Sequence, residues 1–325
     1  MLRAFGPDCD GEIIDAERGT ISPGATWIDL EEPTRDEEKL VEKAIGLEVP
    51  TPEDLAEIEP SSRLYEKGGA LYMTMSVLTG ITEHKPTSCP IGFVLTDDRL
   101  VTIRYATPKP VSIFMEHVRR EPAIARDSAT VLVRLLDAII DRLADELENS
   151  GREIEKISNG IFRDKVDERR IPAHRLTALL TRIGRAQMLL ARIRETAVST
   201  SRLLSFLHGT GALKTEAREA ARSYAASLSM DVTSLMEHST FLGDNLTFLL
   251  DASLGLISVE QNAAMKVFSW VAVVLMPPTL IAGVYGMNFH NFPELSWPFG
   301  YPMALGLMAL SAVLPFAVLK RMGWI

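Results

Sequence analysis

Cysteine is almost missing from this sequence: Cys9 and Cys89 are the only two in 325 residues. They lack the paired spacing of a metal-ligand set, and a reducing compartment would keep them as thiols, so neither a disulfide nor a zinc site is expected. The six histidines are scattered. No two stand three or four residues apart, so each reads as a surface or packing residue rather than a ligand. No nucleophile and base pair, phosphate-cradling glycine loop or metal triad occurs, which makes an enzyme the least expected class. The opening Met1-Leu2-Arg3-Ala4-Phe5-Gly6-Pro7-Asp8 has no apolar run of the kind an export signal needs, so the first 260 residues are expected on the cytoplasmic side.

Charge is absent from two long stretches, Val267 to Phe289 and Leu295 to Leu319. Each exceeds the roughly 20 residues that span hydrocarbon, and two in succession are hard to read as core helices. Lys266 precedes the first and Lys320 and Arg321 follow the second, while the loop between them has no Lys or Arg. That asymmetry puts both termini on the cytoplasmic side of an inner membrane. Proline is absent from residue 173 to residue 276. Very long helices are the natural explanation.

Acid, by contrast, is plentiful and concentrated. Residues 1–60 hold 17 Asp and Glu against 5 Lys and Arg, and the remainder of the chain is nearly balanced. Most of this acid reads as a solvated surface, although it would also attract cations. The first 110 residues have an α/β texture, with strand-like runs at Ala25 to Leu30, Ala70 to Leu78, Ile91 to Thr96 and Leu100 to Tyr105. Asp97-Asp98-Arg99 fits a hairpin turn. Helical signals fall at Thr34 to Ile45 and at Thr51 to Ile58. Beyond Pro110, long helices are expected over Ala129 to about Phe162 and Ala173 to about Leu207. A breaker, His208-Gly209-Thr210-Gly211, precedes a third from about Lys214 to Gly286, which would be about 110 Å long. The expected organisation is an α/β cytoplasmic domain (1–125), a long-helix stalk (126–264) and a membrane domain (265–325). Its two spans cover about 266–287 and 301–319, with a loop at 288–300.

Heptad spacing along the third helix picks out a seam. Glu237, Asp244, Asp251, Ser258, Met265, Ala272 and Thr279 fall seven apart, and Phe248, Gly255, Asn262, Ser269, Met276 and Gly283 interleave with them. Bulky aliphatics are missing from this seam. Val271, Val273, Val274, Leu275, Leu280 and Ile281 carry the greasy surface instead. Small residues alone would suit a close helix contact. That reading leaves Glu237, Asp244 and Asp251 unexplained, since like charges gathered in a bundle repel unless water or cations lie between them. A wet, cation-attracting axis accounts for both ends of the seam.

At the end of the first span stands Tyr285-Gly286-Met287-Asn288-Phe289, followed by Phe292-Pro293-Glu294-Leu295. With Met276-Pro277-Pro278-Thr279-Leu280, Glu260-Gln261-Asn262, Phe299-Gly300-Tyr301-Pro302 and the closing Lys320-Arg321 to Trp324, this resembles the CorA family of magnesium channels and its Gly-Met-Asn signature. Trp27-Ile28-Asp29-Leu30 and Ile58-Glu59-Pro60-Ser61-Ser62-Arg63 extend the resemblance over nearly the whole chain. It implies a helical membrane channel, a funnel-shaped homopentamer in the lipid bilayer whose first membrane helices line the pore. Gly286, Met287 and Asn288 would form the selectivity filter, with Asn288 as the outer ring. Asn262, Met265, Ser269, Ala272, Met276, Thr279 and Gly283 would line the pore. Asp251 would sit at its cytoplasmic mouth, with Asp244 and Glu237 as further regulatory or pore-mouth metal ligands. His290 stands where many relatives have a carboxylate, which leaves Glu294 as the loop's one acid.

Magnesium holds its water tightly and requires octahedral oxygen coordination at about 2.0–2.1 Å. A ring of carboxamide oxygens suits such a hydrated ion, and conduction needs binding weak enough to permit exit. Thiolate and imidazole, which would favour zinc, are absent from the seam. The expected activity is magnesium influx gated by intracellular magnesium, with Co2+ and Ni2+ also admitted. A zinc transporter of the same superfamily and a membrane-anchored coiled-coil scaffold are the alternatives.

Overall fold

The computed structural model describes residues 1–16, 19–57, 59–81, 85–162, 173–213, 218–287 and 293–322. Two compact units divide the chain: Met1–Ile171 with Thr177–Leu250, and Pro172–Leu176 with Asp251–Ile325.

In the first unit, paired hydroxyls and acids start the short helices. Thr34 caps α1 (Arg35–Ile45): its hydroxyl accepts the Glu37 N–H while the Glu37 carboxylate accepts the Thr34 N–H. Such reciprocal boxes satisfy two helix donors that would otherwise be orphaned. Gly46 ends the helix at φ 73°, in the left-handed region where a side chain would be strained. Thr51 and Asp54 repeat the device at α2 (Pro52–Ala56), whose first residue needs no N–H. A single turn, α3 (Pro60–Arg63), follows.

Seven strands form one sheet: β1 (Leu2–Gly6), β2 (Cys9–Ile14), β3 (Trp27–Glu31), β4 (Leu64–Lys67), β5 (Ala70–Thr79), β6 (Thr87–Leu95) and β7 (Leu100–Arg104). Their order is β2-β1-β3-β7-β6-β5-β4. Only β3 and β7 run parallel, with Trp27 opposite Leu100. The Asp97-Asp98-Arg99 turn joins β6 to β7 as expected, closed by the Thr96 N–H on the Arg99 carbonyl at 2.9 Å.

Alternation along the central strands sorts the two faces. Ile28, Leu30, Val101 and Ile103 pack with Val41 of α1 and Leu55 of α2. Burying each such side chain contributes about 1.5–3 kcal/mol. One residue out of phase, Trp27 faces the opposite way, stacked on Phe5 at 4.5 Å and tilted against Phe114 of α4 (Lys109–Arg120) at 5.3 Å. Beside it lies a buried ionic network. Arg104 Nε and Nη2 donate to the two Asp29 oxygens at 3.1 and 2.9 Å, and Nη1 donates to the Ala106 carbonyl at 2.8 Å. The Thr102 hydroxyl donates to Asp29 at 2.6 Å and accepts the Trp27 indole N–H at 3.0 Å. Glu31 pairs with Arg104 at 3.0 Å and Arg3 at 3.2 Å. Burial pushes the Glu31 carboxyl up, but the Thr107 hydroxyl and the Arg104 and Arg3 guanidinia outweigh it and hold the group below its ordinary value.

Three long helices follow: α5 (Ser128–Phe162), α6 (Ala173–Thr210) and α7 (Glu219–Tyr285). The proline-free stretch therefore folds as expected, with two adjustments. Gly209 stays inside α6, and the chain reverses at Gly211, which sits at φ 76°. The expected start at Lys214 lies outside the described residues. Within the first unit, α7 buries Ala221, Ala225, Leu228 and Val232, and further along Ser239, Leu242, Leu246 and Leu249, each set spaced three and four apart. Arg182 of α6 pairs with Glu153 of α5 at 2.8 Å, Tyr224 of α7 donates to Asp137 of α5 at 2.5 Å, and Phe162 stacks on Phe248 at 6.0 Å. Arg218, nearly buried, donates to the Asp97 and Ala212 carbonyls and ties the β6–β7 turn to the start of α7.

In the second unit, α7 and α8 (Gly300–Arg321) each contain a segment long and apolar enough to cross a membrane. Lys320 and Arg321 occupy the last turn of α8, where cations suit the helix dipole.

Candidate functional site

The seam is read most directly from what the chain leaves uncovered. Glu237, Asp244 and Phe248 in the first unit are exposed. So are Asp251, Ser258, Met265, Ala272, Thr279, Gly255, Asn262, Ser269, Met276 and Gly283 in the second. The large thioethers make the point sharply, Met265 being 67% and Met276 69% accessible. Unpartnered apolar side chains this open on a membrane helix are available to lipid, to other copies of the chain or to a lumen.

The same helix has a second face, which the sequence did not separate from the lipid-facing set. Val271, Val274, Pro277, Pro278, Ile281 and Tyr285 are half-buried at spacings of three and four, whereas Val273, Leu275 and Leu280 are exposed. Of the six aliphatics expected to form one greasy surface, three therefore belong to a partly covered stripe.

Hydroxyl groups along the seam have a common orientation. Ser269 Oγ donates to the Met265 carbonyl at 2.8 Å, and Ser258 Oγ donates to the Leu254 carbonyl at 3.2 Å. Thr279 Oγ1 donates to the Leu275 and Met276 carbonyls at 2.7 and 2.9 Å. Each proton is committed to the helix itself, so the oxygen turns lone pairs outward. A hydrated cation, whose water shell donates hydrogen bonds, is met by acceptors. An anion would find no free hydroxyl proton here.

Helix α7 continues through Pro277 and Pro278. Neither proline has an N–H to give, so the carbonyls of Val273 and Val274 lose their usual partners four residues on. Thr279 follows at once and spends its hydroxyl on the next two carbonyls in the row. At the end of the helix, the Gly286 N–H bonds Ala282 at 3.0 Å and the Met287 N–H bonds Val284 at 3.2 Å, tightening the last turn. A Cβ on Gly286 would meet the Ala282 carbonyl at 3.0 Å, closer than most side chains tolerate. Asn288 and His290 lie outside the described residues, and Glu294 belongs to a single 3-10 turn, Pro293–Ser296.

Glu237, Asp244 and Asp251 stand about 10 Å apart along one helix, two turns from each to the next. The single chain does not bring them together. Among the described residues, no group of three or more His, Cys, Asp or Glu side chains is placed to hold a metal. A different acidic row went unnoticed in the sequence. Asp137, Asp141 and Asp145 lie four apart on α5 and line a cavity of about 570 Å³ with Glu121, Arg134 and Arg142. Burial first, then the charges of Asp137, Asp145 and Asp231, push the Asp141 carboxyl up. Its i, i+4, i+8 spacing was the available signal.

Known proteins resemble this chain along most of its length. A family model described as "CorA-like Mg2+ transporter protein" matches residues 22–321. The magnesium transport protein CorA of Pasteurella multocida is 32% identical over 327 residues, covering 100% of both chains. That of Salmonella typhimurium is 33% identical over 312 residues, covering 96% of both. The complete structure of the CorA magnesium transporter from Methanocaldococcus jannaschii superposes with a TM-score of 0.76 at 19% identity, covering 100% of this chain and 98% of that one, so the fold is shared. With a family model matching residues 22–321 and relatives above 30% identical over 96% or more of both chains, this protein belongs to the CorA-like Mg2+ transporter family.

Proposed function

We propose that the chain assembles as a homopentamer in the inner membrane and conducts Mg2+ into the cell, with the exposed seam of α7 facing the axis. Residues 1–125 and 126–264 then form the cytoplasmic α/β domain and stalk, and 265–325 the membrane domain with both termini inside. The observation that carries this reading is the seam itself: small residues, thioethers and outward-turned hydroxyl oxygens left open by the chain's own packing. A lumen gives those groups a use that lipid does not.

In this reading Asn288, next to Gly286 and Met287, forms the outer ring that selects the hydrated ion through carboxamide oxygens. Asn262, Met265, Ser269, Ala272, Met276, Thr279 and Gly283 line the path, with Met276 as an apolar constriction that blocks by dewetting. Glu294 concentrates cations outside. Glu237, Asp244 and Asp251 gather at the cytoplasmic end in five copies, where bound Mg2+ cancels their repulsion and holds the closed state. Co2+ and Ni2+, which share octahedral oxygen and nitrogen chemistry, also pass.

Flux into liposomes containing the purified protein, read with Mg2+, Co2+, Ni2+ and Zn2+ in turn, tests the proposal. Saturable Mg2+ entry is expected. Zn2+ entry without Mg2+ entry would assign the chain to zinc transport, and no entry of any ion would leave a scaffold role.

A further inference from the structure

One motif noted in the sequence, Ile58 to Arg63, has no part in the ion path. Its last residue, Arg63 of α3, lines a cavity of about 400 Å³ together with Ser76 of β5, Gln187, Arg194, Glu195, Ser199 and Arg202 of α6, and Gly243 of α7. All of these residues belong to the first unit. Beside the apolar Leu190, Ala191 and Val198, the polar side chains of the wall carry more donors than acceptors. Its one carboxylate, Glu195, is already taken by the Ser88 hydroxyl at 2.8 Å and by Arg192 at 2.9 Å. Ser199 Oγ accepts the backbone N–H of Ser76 at 3.0 Å, which leaves its own proton free to donate.

The three guanidinia are barely committed. Among the described residues, Arg63 gives its Nε–H alone, to the Glu57 carbonyl at 2.5 Å, and Arg194 gives one N–H, to Thr240 Oγ1 at 2.8 Å. Arg202 makes no ion pair among the described residues. Each fork carries five donors. Arg194 and Arg202 are also eight residues apart on α6, about 12 Å along the helix. A single small monoanion does not match charges spread so far, whereas a chain of linked phosphates does. Guanidinium forks pair with phosphate oxygens two at a time, and the volume lies at the small end of ligand cavities, which run from about 300 Å³ upward.

We propose that this cavity binds a compact oligophosphate, free or as the phosphate tail of a nucleotide, bridging α3 and the sheet to α6. The site is independent of the ion path, and its occupancy is read without any flux measurement.

Isothermal titration of the full-length protein in detergent, in Mg2+-free buffer at physiological ionic strength, tests this with tripolyphosphate, ATP and inorganic phosphate as probes. Saturable binding at one site per chain is expected, with tripolyphosphate and ATP tighter than phosphate. Stronger binding of ATP than of tripolyphosphate would identify the nucleotide as the source, and the reverse order the free chain. The double variant Arg194→Gln/Arg202→Gln should lose about a hundredfold or more in affinity, the worth of two charged hydrogen bonds. Arg185→Gln, which removes one charge from an exposed α6 residue outside the cavity lining, should lose none. Size-exclusion elution checks that all variants remain assembled. Equal, weak association across the wild type and both variants would overturn the site. So would an absence of binding to the wild type, and loss of assembly in the double variant would then identify the arginines as seats for acids on a neighbouring copy.

Discussion

Arg104 illustrates how much of the cytoplasmic unit depends on single polar contacts. Its guanidinium is fully buried and satisfied by Asp29, Glu31 and the Ala106 carbonyl. Asp29→Asn would leave that charge short of its counterion, and removing one member of a buried pair costs about 3–5 kcal/mol. Denaturant unfolding followed by circular dichroism should show a loss of that size, and a change below about 1 kcal/mol would mean that water reaches the site. Glu31 gives a pH signature. Because its carboxyl is held below the ordinary value, the ionised form stabilises the fold above the carboxylate range, and that contribution disappears as pH falls through the depressed value. Glu31→Gln should cost about 1–3 kcal/mol at neutral pH, and its gap to wild type should close on acidification. A gap that is constant or grows would contradict the assigned network. At the other end of the chain, Asn288→Ala should abolish selective Mg2+ uptake while leaving the assembly intact, because a methyl ring offers no oxygen to the hydration shell. Robust uptake with unchanged selectivity would remove Asn288 from the filter.

Among the elements, those with a local chemical signal were legible in the sequence. Thr34 with Glu37, Thr51 with Asp54, and the Asp97-Asp98-Arg99 turn announce α1, α2 and the β6–β7 hairpin because caps and turns are satisfied by their own neighbours. Strands β1, β2 and β4 gave no such signal. Asp10, Gly11 and Glu12 are poor strand formers, and Leu64–Lys67 is too short for alternation to register, so β2 and β4 exist as edge strands through hairpin pairing with β1 and β5, and β1 through its further pairing with β3. Helix α4 did carry a pattern, with Val111, Phe114, Met115 and Val118 on one face, but Pro108 and Pro110 obscured it. The seam of α7 was readable because its period is set within one helix. Its division from the half-buried stripe of Val271, Val274 and Ile281 was not, since that depends on what else packs nearby. On α5, the row Asp137, Asp141, Asp145 is a built-in repulsion. The raised Asp141 carboxyl means that ionisation weakens the fold above the carboxylate range. Asp141→Asn should therefore stabilise at neutral pH, by a few tenths of a kcal/mol for each like-charged pair relieved, and the gain should vanish in acid. Destabilisation at neutral pH would show that Asp141 serves as an acceptor instead. On α7, Met276→Ser should make the pore leakier at high internal Mg2+, and unchanged conduction would place the constriction elsewhere.

At the scale of the whole molecule, the chain divides its labour between a soluble unit that buries charge in satisfied networks and a membrane unit that leaves its distinctive residues open. In the proposed assembly, groups that a single chain does not cover would gain partners, Glu237, Asp244 and Asp251 among them. Five copies of Glu237, Asp244 and Asp251 would repel one another, and divalent ions would relieve the repulsion. Neutralising all three should weaken closure by internal Mg2+ and should remove the Mg2+-dependent slowing of hydrogen exchange along residues 218–260. Full inhibition in the neutralised variant would move the regulatory ions elsewhere without touching the pore. The most direct test of the central claim is Mg2+ entry into liposomes carrying the wild-type protein and an internal Mg2+-sensitive dye. The account expects saturable entry far above that of protein-free liposomes, falling as Mg2+ is raised on the cytoplasmic face. Entry no faster than the protein-free leak, from a protein shown to be folded and inserted, would contradict it.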